Sequence, residues 1–187
     1  MGGSGTTETE IKLRLDTPEQ VEERLASAGF RVTKPRVFEA NTVFDDVEGG
    51  IRSRGCLLRM RQVGGRAVLT FKGQSERSRH KSREELETTL GDAQTGALIF
   101  ERLGFQPIFR YEKYRTEYER PGEHGIVTVD ETPIGWFLEL EGEPDWIDRT
   151  ASELGFEEKH YLTESYGSLY VMHCKQRNIE PSNMMFA

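Results

Sequence analysis

The sequence has few cysteines and no long apolar run. Cys56 and Cys174 are the only cysteines among its 187 residues, and they lie far apart with no C-x-x-C spacing. This argues against a disulfide framework and against a thiolate zinc site. No apolar stretch approaches the ~20 residues needed to cross a bilayer, and none lies near the N-terminus. We therefore expect a cytoplasmic protein with no membrane span and no secretory signal.

Positive charge is also in deficit. Lys and Arg total 25 against 32 Asp and Glu, which gives a formal net charge of −7. A field of this sign repels nucleic-acid phosphates and anionic lipid surfaces, so we expect no nucleic-acid partner and no membrane partner. The sequence lacks a G-x-x-x-x-G-K-[ST] phosphate loop, and its four histidines do not have metal-site spacing. A polyanionic ligand would need a local cationic site built from side chains.

One folded domain is expected over residues 8–177, because 35% hydrophobic residues, with 10 Phe, 6 Tyr and 2 Trp, can build a core. The glycine-rich start predicts a flexible tail over residues 1–7, and residues 178–187 predict an irregular C-terminal tail. Either a monomer or a homodimer is compatible with these features.

Alternation and β-branched or aromatic content predict eight strands, at 8–15, 30–45, 57–63, 66–73, 82–90, 106–119, 125–131 and 136–142. Four helices are predicted at 18–28, 93–103, 145–154 and 164–176. Thr17 as N-cap and Gln20 as the partner in a capping box mark the first helix start. A recurring Gly-Phe marks three helix ends, at Gly29-Phe30, Gly104-Phe105 and Gly155-Phe156. Consecutive strands joined by tight turns favour antiparallel pairing. The predicted class is α+β, an eight-stranded antiparallel barrel or tunnel with helices packed outside.

Charged or polar residues recur two positions apart on these strands, as Glu8/Glu10, Arg59/Arg61, Thr70/Lys72, Lys113/Arg115 and Glu139/Glu141. Like charges so placed share one face ~7 Å apart and repel by roughly 2 kcal/mol at an effective dielectric of about 20. A single pair is more typical of a solvated sheet face. The set favours counter-ions: a divalent metal for the carboxylates and a multiply charged oxyanion for the cations. We expect a charged cavity whose cations are left without enough neutralising charge when no oxyanion is bound.

A series of ordered motifs points to one family. Glu8 to Lys12 reads E-x-E-x-K, and it is followed by L-R-x-R at 58–61, T-x-K-G at 70–73, R-x-E at 83–85 and F-x-E-x-E-G at 137–142. Lys113-Tyr114-Arg115 and Asp130 fall in the same order. Over roughly residues 8–175 the chain resembles the CYTH superfamily of triphosphate tunnel metalloenzymes. This superfamily includes class IV adenylyl cyclases and thiamine or inorganic triphosphatases.

The resemblance implies a role for each charged position. Mg²⁺ or Mn²⁺ would be held by Glu8, Glu10, Glu139 and Glu141. The triphosphate would contact Lys12, Arg59, Arg61, Lys72, Arg83, Lys113 and Arg115. Catalytic roles fall on Lys12, Lys72 and Asp130. One segment departs from the family, since Asn41-Thr42-Val43-Phe44 stands where a D-T-Y-F-like segment is usual.

The resemblance also ranks the functions. The stretch from Ile134 to Glu139 resembles class IV adenylyl cyclases more than thiamine triphosphatases, so the leading expectation is metal-dependent conversion of ATP to cyclic AMP and pyrophosphate. The alternative is hydrolysis of the terminal phosphate of tripolyphosphate or thiamine triphosphate. A second alternative is a non-catalytic module that binds nucleotide or polyphosphate. The basic run over 77–83 predicts a solvated loop, or else a patch that guides an anion to the cavity.

Overall fold

Eight antiparallel strands close into a barrel in the computed structural model, which describes residues 6–187. The strands are β1 (Thr6–Leu15), β2 (Arg31–Asp46), β3 (Leu57–Val63), β4 (Arg66–Lys72), β5 (Glu76–Arg77), β6 (Lys81–Leu90), β7 (Phe105–Glu119), β8 (Ile126–Thr132) and β9 (Gly135–Glu141). The helices are α1 (Pro18–Ser27), α2 (Gly50–Ser53), α3 (Ala93–Arg102), α4 (Pro144–Glu153) and α5 (Tyr166–Arg177), with a 3₁₀ turn at Glu158–His160. Of the predicted tail over residues 1–7, residues 1–5 lie outside the described residues, and β1 begins at Thr6.

The barrel runs in the order β1-β9-β8-β7-β2-β3-β4-β6 and closes by pairing of β6 with β1. The two-residue strand β5 pairs with β6 outside this ring. Every pairing between named strands is antiparallel, which confirms the predicted α+β barrel with helices outside. Closure leaves no long unpaired edge in the ring.

Strand register places the charged residues on the inside of the barrel. Residues directly opposite one another face the same side, and a slip of one position would reverse every side chain. The interior pairs include Glu10 with Glu141, Lys12 with Glu139, Arg61 with Asn41, Lys113 with Glu39 and Arg115 with Asp130. The barrel interior is therefore polar and ionic over most of its length.

The main hydrophobic core lies outside the barrel wall. Residues that alternate with the interior charges on β1, β8 and β9 point outward and are buried against α1 and α4. From the strands the core takes Ile11, Leu13, Leu15, Val127, Val129, Leu138 and Leu140, and from the helices Val21, Leu25, Ile147 and Ala151. Strands of this barrel thus bury an apolar face and a charged face at once.

Three helix ends follow the predicted Gly-Phe pattern. Gly29, Gly104 and Gly155 have φ angles of +84°, +90° and +86°, in the left-handed region that favours glycine. The predicted capping box at α1 is wrong, because Thr17 occupies the N-cap position without accepting a side-chain hydrogen bond. None of the helices over residues 6–187 combines the length and the apolar character that a membrane crossing requires.

Helix α2 was not predicted. It has four residues, too few for an amphipathic period, and a buried carboxylate of the preceding strand organises it. Asp45 accepts backbone hydrogen bonds from Ile51 at 2.8 Å and from Arg52 at 3.1 Å. These bonds satisfy amide groups that a short helix cannot satisfy itself.

The C-terminal segment closes one end of the barrel. Before α5, Leu162 exchanges two backbone hydrogen bonds of 2.8 Å with Lys12 on β1. After α5 the chain has no regular element, yet Met184 forms a bridge with Tyr111 on β7 and is fully buried. We call the apolar group at this end the floor cluster: Tyr111, Ile134, Phe137, Tyr166, Leu169 and Met184.

The indole of Trp146 on α4 lies flat over two glycines of the barrel wall. A Cβ atom at Gly125 would fall 2.3 Å from the ring, and one at Gly142 would fall 2.9 Å from it. We predict that Gly125→Ala lowers the free energy of unfolding by about 1–3 kcal/mol, because the buried indole has to move. Urea denaturation measures this change.

Gly91→Ala is the matched control, because a Cβ atom there meets nothing within 4 Å. Equal stability of the two alanine variants would contradict the close packing of Trp146.

Candidate functional site

A cavity of about 460 Å³ lies within the barrel, and nine basic and seven acidic side chains line it. The basic residues are Lys12, Lys34, Arg59, Arg61, Lys72, Lys81, Arg83, Lys113 and Arg115. The acidic residues are Glu8, Glu10, Glu85, Glu87, Glu117, Glu139 and Glu141. The structure thus brings together all four glutamates and all seven cations that the sequence assigned to metal and triphosphate. It does not bring Asp130 to the cavity surface.

Negative charge accumulates where β1 meets β9. Burial, together with the neighbouring carboxylates of Glu8 and Glu10, raises the pKa of Glu141 to about 7. Burial and the carboxylate of Glu10 also raise the pKa of Glu8. No hydrogen bond or ion pair to the Glu141 carboxylate is present in the described part of the chain. This corner of the cavity therefore carries carboxylates without enough compensating positive charge.

Three lysines hold the other carboxylates of this corner. Lys12 Nζ lies 3.1 Å from Glu10 and 3.3 Å from Glu139, and Lys81 Nζ lies 3.0 Å from Glu10. Lys72 donates to Glu8 at 2.6 Å and lies 3.3 Å from Glu85. Although burial opposes it, the attraction of Lys12 and Lys81 lowers the pKa of Glu10. Lys12 and Lys81 thus keep the Glu10 carboxylate charged in a desolvated place.

The donors suit a divalent cation. Glu8, Glu10, Glu139 and Glu141 present carboxylate oxygens, which Mg²⁺ and Mn²⁺ prefer, and burial together with the neighbouring carboxylates raises the pKa of Glu141. Over residues 6–187, no three Asp, Glu, His or Cys side chains are arranged around one point as a metal requires. The four glutamates therefore fit a divalent cation by the type of their donor atoms and by their charge.

Another part of the wall carries Arg59, Arg61, Lys113 and Arg115, while Arg83 lies 3.7 Å from Glu8 in the acidic corner. Arg115 donates to Asp130 at 2.7 and 2.6 Å and also contacts Glu139, while Lys113 donates to Asp130 at 2.9 Å. Arg61 lies 3.4 Å from Glu39. Although burial opposes it, Lys113 and Arg61 lower the pKa of Glu39 to about 2.

The expectation of an uncompensated cationic wall is wrong. Carboxylates from neighbouring strands neutralise it, chiefly Glu39 on β2 and Asp130 on β8. Arg59 differs from the other cations, since it donates to the Tyr111 hydroxyl at 3.3 Å and to Thr70 at 3.2 Å instead of to a carboxylate.

Asp130 points into the barrel but is covered by other side chains and does not line the cavity. It is 0% exposed and accepts hydrogen bonds from Lys113, from Arg115 and, at 2.6 Å, from the Tyr166 hydroxyl. Burial and the carboxylate of Asp130 raise the pKa of Tyr166 well above its usual range, so the hydroxyl stays protonated and donates. This position suits a carboxylate that orients the cations, and it gives Asp130 no direct access to a ligand.

Sequence reasoning missed several lining or supporting residues. Glu39 has no charged residue two positions away on β2, where Val37 and Asn41 lie. Lys81 belongs to the basic run that was interpreted as a solvated loop. Lys81 is instead 7% exposed inside the cavity, so the solvated-loop interpretation is wrong for it, while Arg83 lines the cavity as its motif predicted. The available signal was spacing, because Lys81, Arg83 and Glu85 alternate on β6 and share one face.

Glu141 should make apo stability depend on pH. Its pKa is about 7 in the folded protein against an ordinary value of 4.5, so between these values the folded state binds more protons than the unfolded state. The free energy of unfolding therefore falls as pH rises from 4.5 to 7, by up to about 3 kcal/mol. Glu141→Gln removes this loss. We expect it to be nearly neutral at pH 5 and stabilising by about 1–3 kcal/mol at pH 8 in metal-free urea denaturation.

Glu131→Gln is the control, since Glu131 pairs with Arg36 away from the cavity. A Glu141→Gln protein with the wild-type pH profile would contradict the crowding of carboxylates around this position.

Known proteins resemble this chain in sequence and in fold. Residues 6–166 match the family model of the CYTH domain, which confirms the resemblance drawn from the motifs. A Methanocaldococcus jannaschii protein provisionally named an adenylate cyclase is 32% identical over 135 residues, 72% of this chain and 75% of that protein.

Two solved structures share the fold. A protein of Vibrio parahaemolyticus, provisionally named an adenylate cyclase, has a TM-score of 0.77 at 17% identity and covers 89% of this chain and 98% of its own. A Hippeastrum protein, provisionally named an adenylyl cyclase and described as having a dominant triphosphatase activity, has a TM-score of 0.63 at 22% identity. It covers 93% of this chain and 97% of its own. At these identities the likeness concerns the fold alone.

Proposed function

This chain belongs to the CYTH domain family, and from that premise we propose that it is a metal-dependent enzyme acting on a small-molecule triphosphate inside the barrel. The observation that carries the proposal is the convergence of nine cations and seven carboxylates on one cavity. Burying so many charges costs free energy, and a fold that keeps them has a use for a multiply charged ligand.

The cationic wall would bind the phosphate chain. Arg59, Arg61 and Arg115 offer guanidinium groups that match phosphate oxygens, and Lys113 adds a point charge. Glu39 and Asp130 hold three of these cations in place before a ligand arrives, so little order has to be created on binding. Within residues 6–187 Arg59 pairs with no carboxylate, which leaves its guanidinium available to a phosphate.

The four glutamates of the acidic corner would hold Mg²⁺ or Mn²⁺, which supplies positive charge to the oxygens of the reacting phosphate. Lys12 and Lys72 lie between these carboxylates. They are therefore the protein's own cations best placed to touch the reacting end of a substrate, and we assign them catalytic roles. Asp130 we assign a positioning role, through Lys113 and Arg115.

We propose ATP cyclisation as the reaction, in which the ribose 3′-hydroxyl attacks the α-phosphorus and pyrophosphate leaves. The provisional name of the Methanocaldococcus jannaschii relative supports it. Hydrolysis of the terminal phosphate is the second candidate. Few apolar or aromatic residues line the cavity, namely Leu57, Tyr111, Ile126 and Tyr166, which is a sparse surface for a nucleobase.

Product identification tests the proposal. The protein is incubated separately with ATP, tripolyphosphate and thiamine triphosphate, with Mg²⁺ or Mn²⁺, and products are assigned by phosphorus NMR. We expect cyclic AMP and pyrophosphate from ATP, and no turnover after addition of EDTA. Orthophosphate from all three substrates would instead establish the triphosphatase. Binding without turnover would establish the non-catalytic module, and full activity in EDTA would overturn the metal requirement.

Glu141→Gln separates catalysis from stability. Because this carboxylate pairs with no cation in the described residues, its loss should spare the fold while kcat falls by about 10²-fold or more. Glu10→Gln is a poorer choice, since Glu10 holds both Lys12 and Lys81. Steady-state kinetics with Glu131→Gln as the control measure the effect, and wild-type kcat in Glu141→Gln would remove this glutamate from the site.

A further inference from the structure

The carboxylate of Asp148 on α4 joins two segments that lie outside the cavity. Its Oδ1 is 2.8 Å from His80 Nε2 and accepts a hydrogen bond from the Tyr161 hydroxyl at 3.1 Å. Its Oδ2 is 2.7 Å from the Arg79 guanidinium. Arg79 and His80 precede β6, and Tyr161 follows the 3₁₀ turn. We call these four residues the Asp148 cluster.

The cluster is built around a buried side chain. His80 is 5% exposed although it lies next to a half-exposed arginine, and its ring lies 6.0 Å from the ring of Tyr161. Burial together with Asp148 raises the pKa of Tyr161 to about 12, so the Tyr161 hydroxyl remains a donor over the working pH range. Asp148 therefore links α4 to both segments, through His80 and through Tyr161.

Each joined segment continues directly into the cavity wall. Lys81 follows His80 and places its Nζ 3.0 Å from Glu10 Oε1. Leu162 follows Tyr161 and exchanges two backbone hydrogen bonds with Lys12, whose Nζ is 3.1 Å from the same Glu10 oxygen. The Asp148 cluster thus supports both of the lysines that flank one carboxylate.

We propose that Asp148 is a positioning residue of the cavity, which fixes Lys81 and Lys12 on either side of Glu10 by holding the segments next to them. Neither lysine touches Asp148, so the effect passes through His80 and Tyr161. A displacement of about 1 Å in such a cation is enough to weaken an arrangement that has to match a phosphate chain. Only the ligand-binding consequence rests on the proposed function, because the placement of the lysines can be measured without substrate.

Amine labelling of the ligand-free protein tests the placement. Acetic anhydride modification is mapped by mass spectrometry and normalised to the exposed Lys175. We expect Asp148→Ala to raise the labelling of Lys81 by about tenfold, because loss of the junction opens the segment locally. Asp148→Asn keeps an acceptor oxygen for Tyr161 and His80, so it should give an intermediate value.

Glu158→Gln is the matched control. It removes the other carboxylate near Arg79, 3.6 Å away and exposed, and should leave Lys81 labelling at the wild-type value. A purely structural junction would lower the melting temperature of Asp148→Ala without changing the labelling of Lys81 relative to Lys175. That result would overturn the proposal.

Two gentler variants keep the test decisive if Asp148→Ala does not fold. His80→Phe retains a ring but loses the nitrogen that meets Asp148, and should expose Lys81. Tyr161→Phe loses only the hydroxyl, and should expose Lys12. If both folded variants leave both lysines at wild-type labelling, the cluster does not position them.

The effect of the substitution on the cavity is measured by the affinity for tripolyphosphate. We expect Kd and KM to rise about tenfold in Asp148→Ala, with a smaller change in kcat and partial recovery in Asp148→Asn. Increased labelling with unchanged affinity would overturn the role assigned to Asp148. If the wild-type protein binds no tripolyphosphate, the proposed function fails, while the labelling result on Lys81 and Lys12 still stands or falls by itself.

Discussion

Neutralisation of buried charge inside the barrel is the constraint on which the rest of the structure depends. An ion moved out of water costs several kcal/mol unless partners compensate it. Here nine cations and seven carboxylates line the cavity, with Glu39 and Asp130 adding negative charge beside the cationic wall. Strand register sets these partners, because residues opposite one another face the same side. The charged residues of the interior cannot be substituted one at a time without leaving a partner unpaired, and the apolar core has to lie outside the barrel.

The compensation is uneven. On the side of Lys113 and Arg115 the carboxylates of Asp130, Glu39 and Glu139 meet the cations closely, so this wall is fixed before any ligand binds. At the acidic corner Glu141 pairs with no cation in the described part of the chain, and its pKa rises to about 7. One side of the cavity is therefore preorganised and the other is under electrostatic strain, a division typical of sites that trade stability for ligand affinity.

Much of this could be predicted from the sequence, because alternation on strands and glycine at helix ends are local signals. The eight barrel strands and four of the helices follow from them. The cross-strand partners could not be predicted, since a spacing rule compares residues on one strand and Glu39 reaches Arg61 and Lys113 on two others. The hydrogen bond from the Tyr166 hydroxyl to Asp130 could not be predicted either, because it depends on how α5 docks. The predicted capping box of α1 does not form, because Thr17 occupies the N-cap position but its side chain accepts no hydrogen bond there.

The floor cluster gives the cavity a direction. Tyr166 both lines the cavity and packs with Leu169 and Met184, so apolar side chains back the cavity there. Lys12 and Lys113 place their Nζ atoms 5.5 and 5.2 Å from the centroid of the Tyr166 ring. A ligand that reaches these two lysines would meet an aromatic and apolar surface beyond them, which sets how deep its charged part can lie.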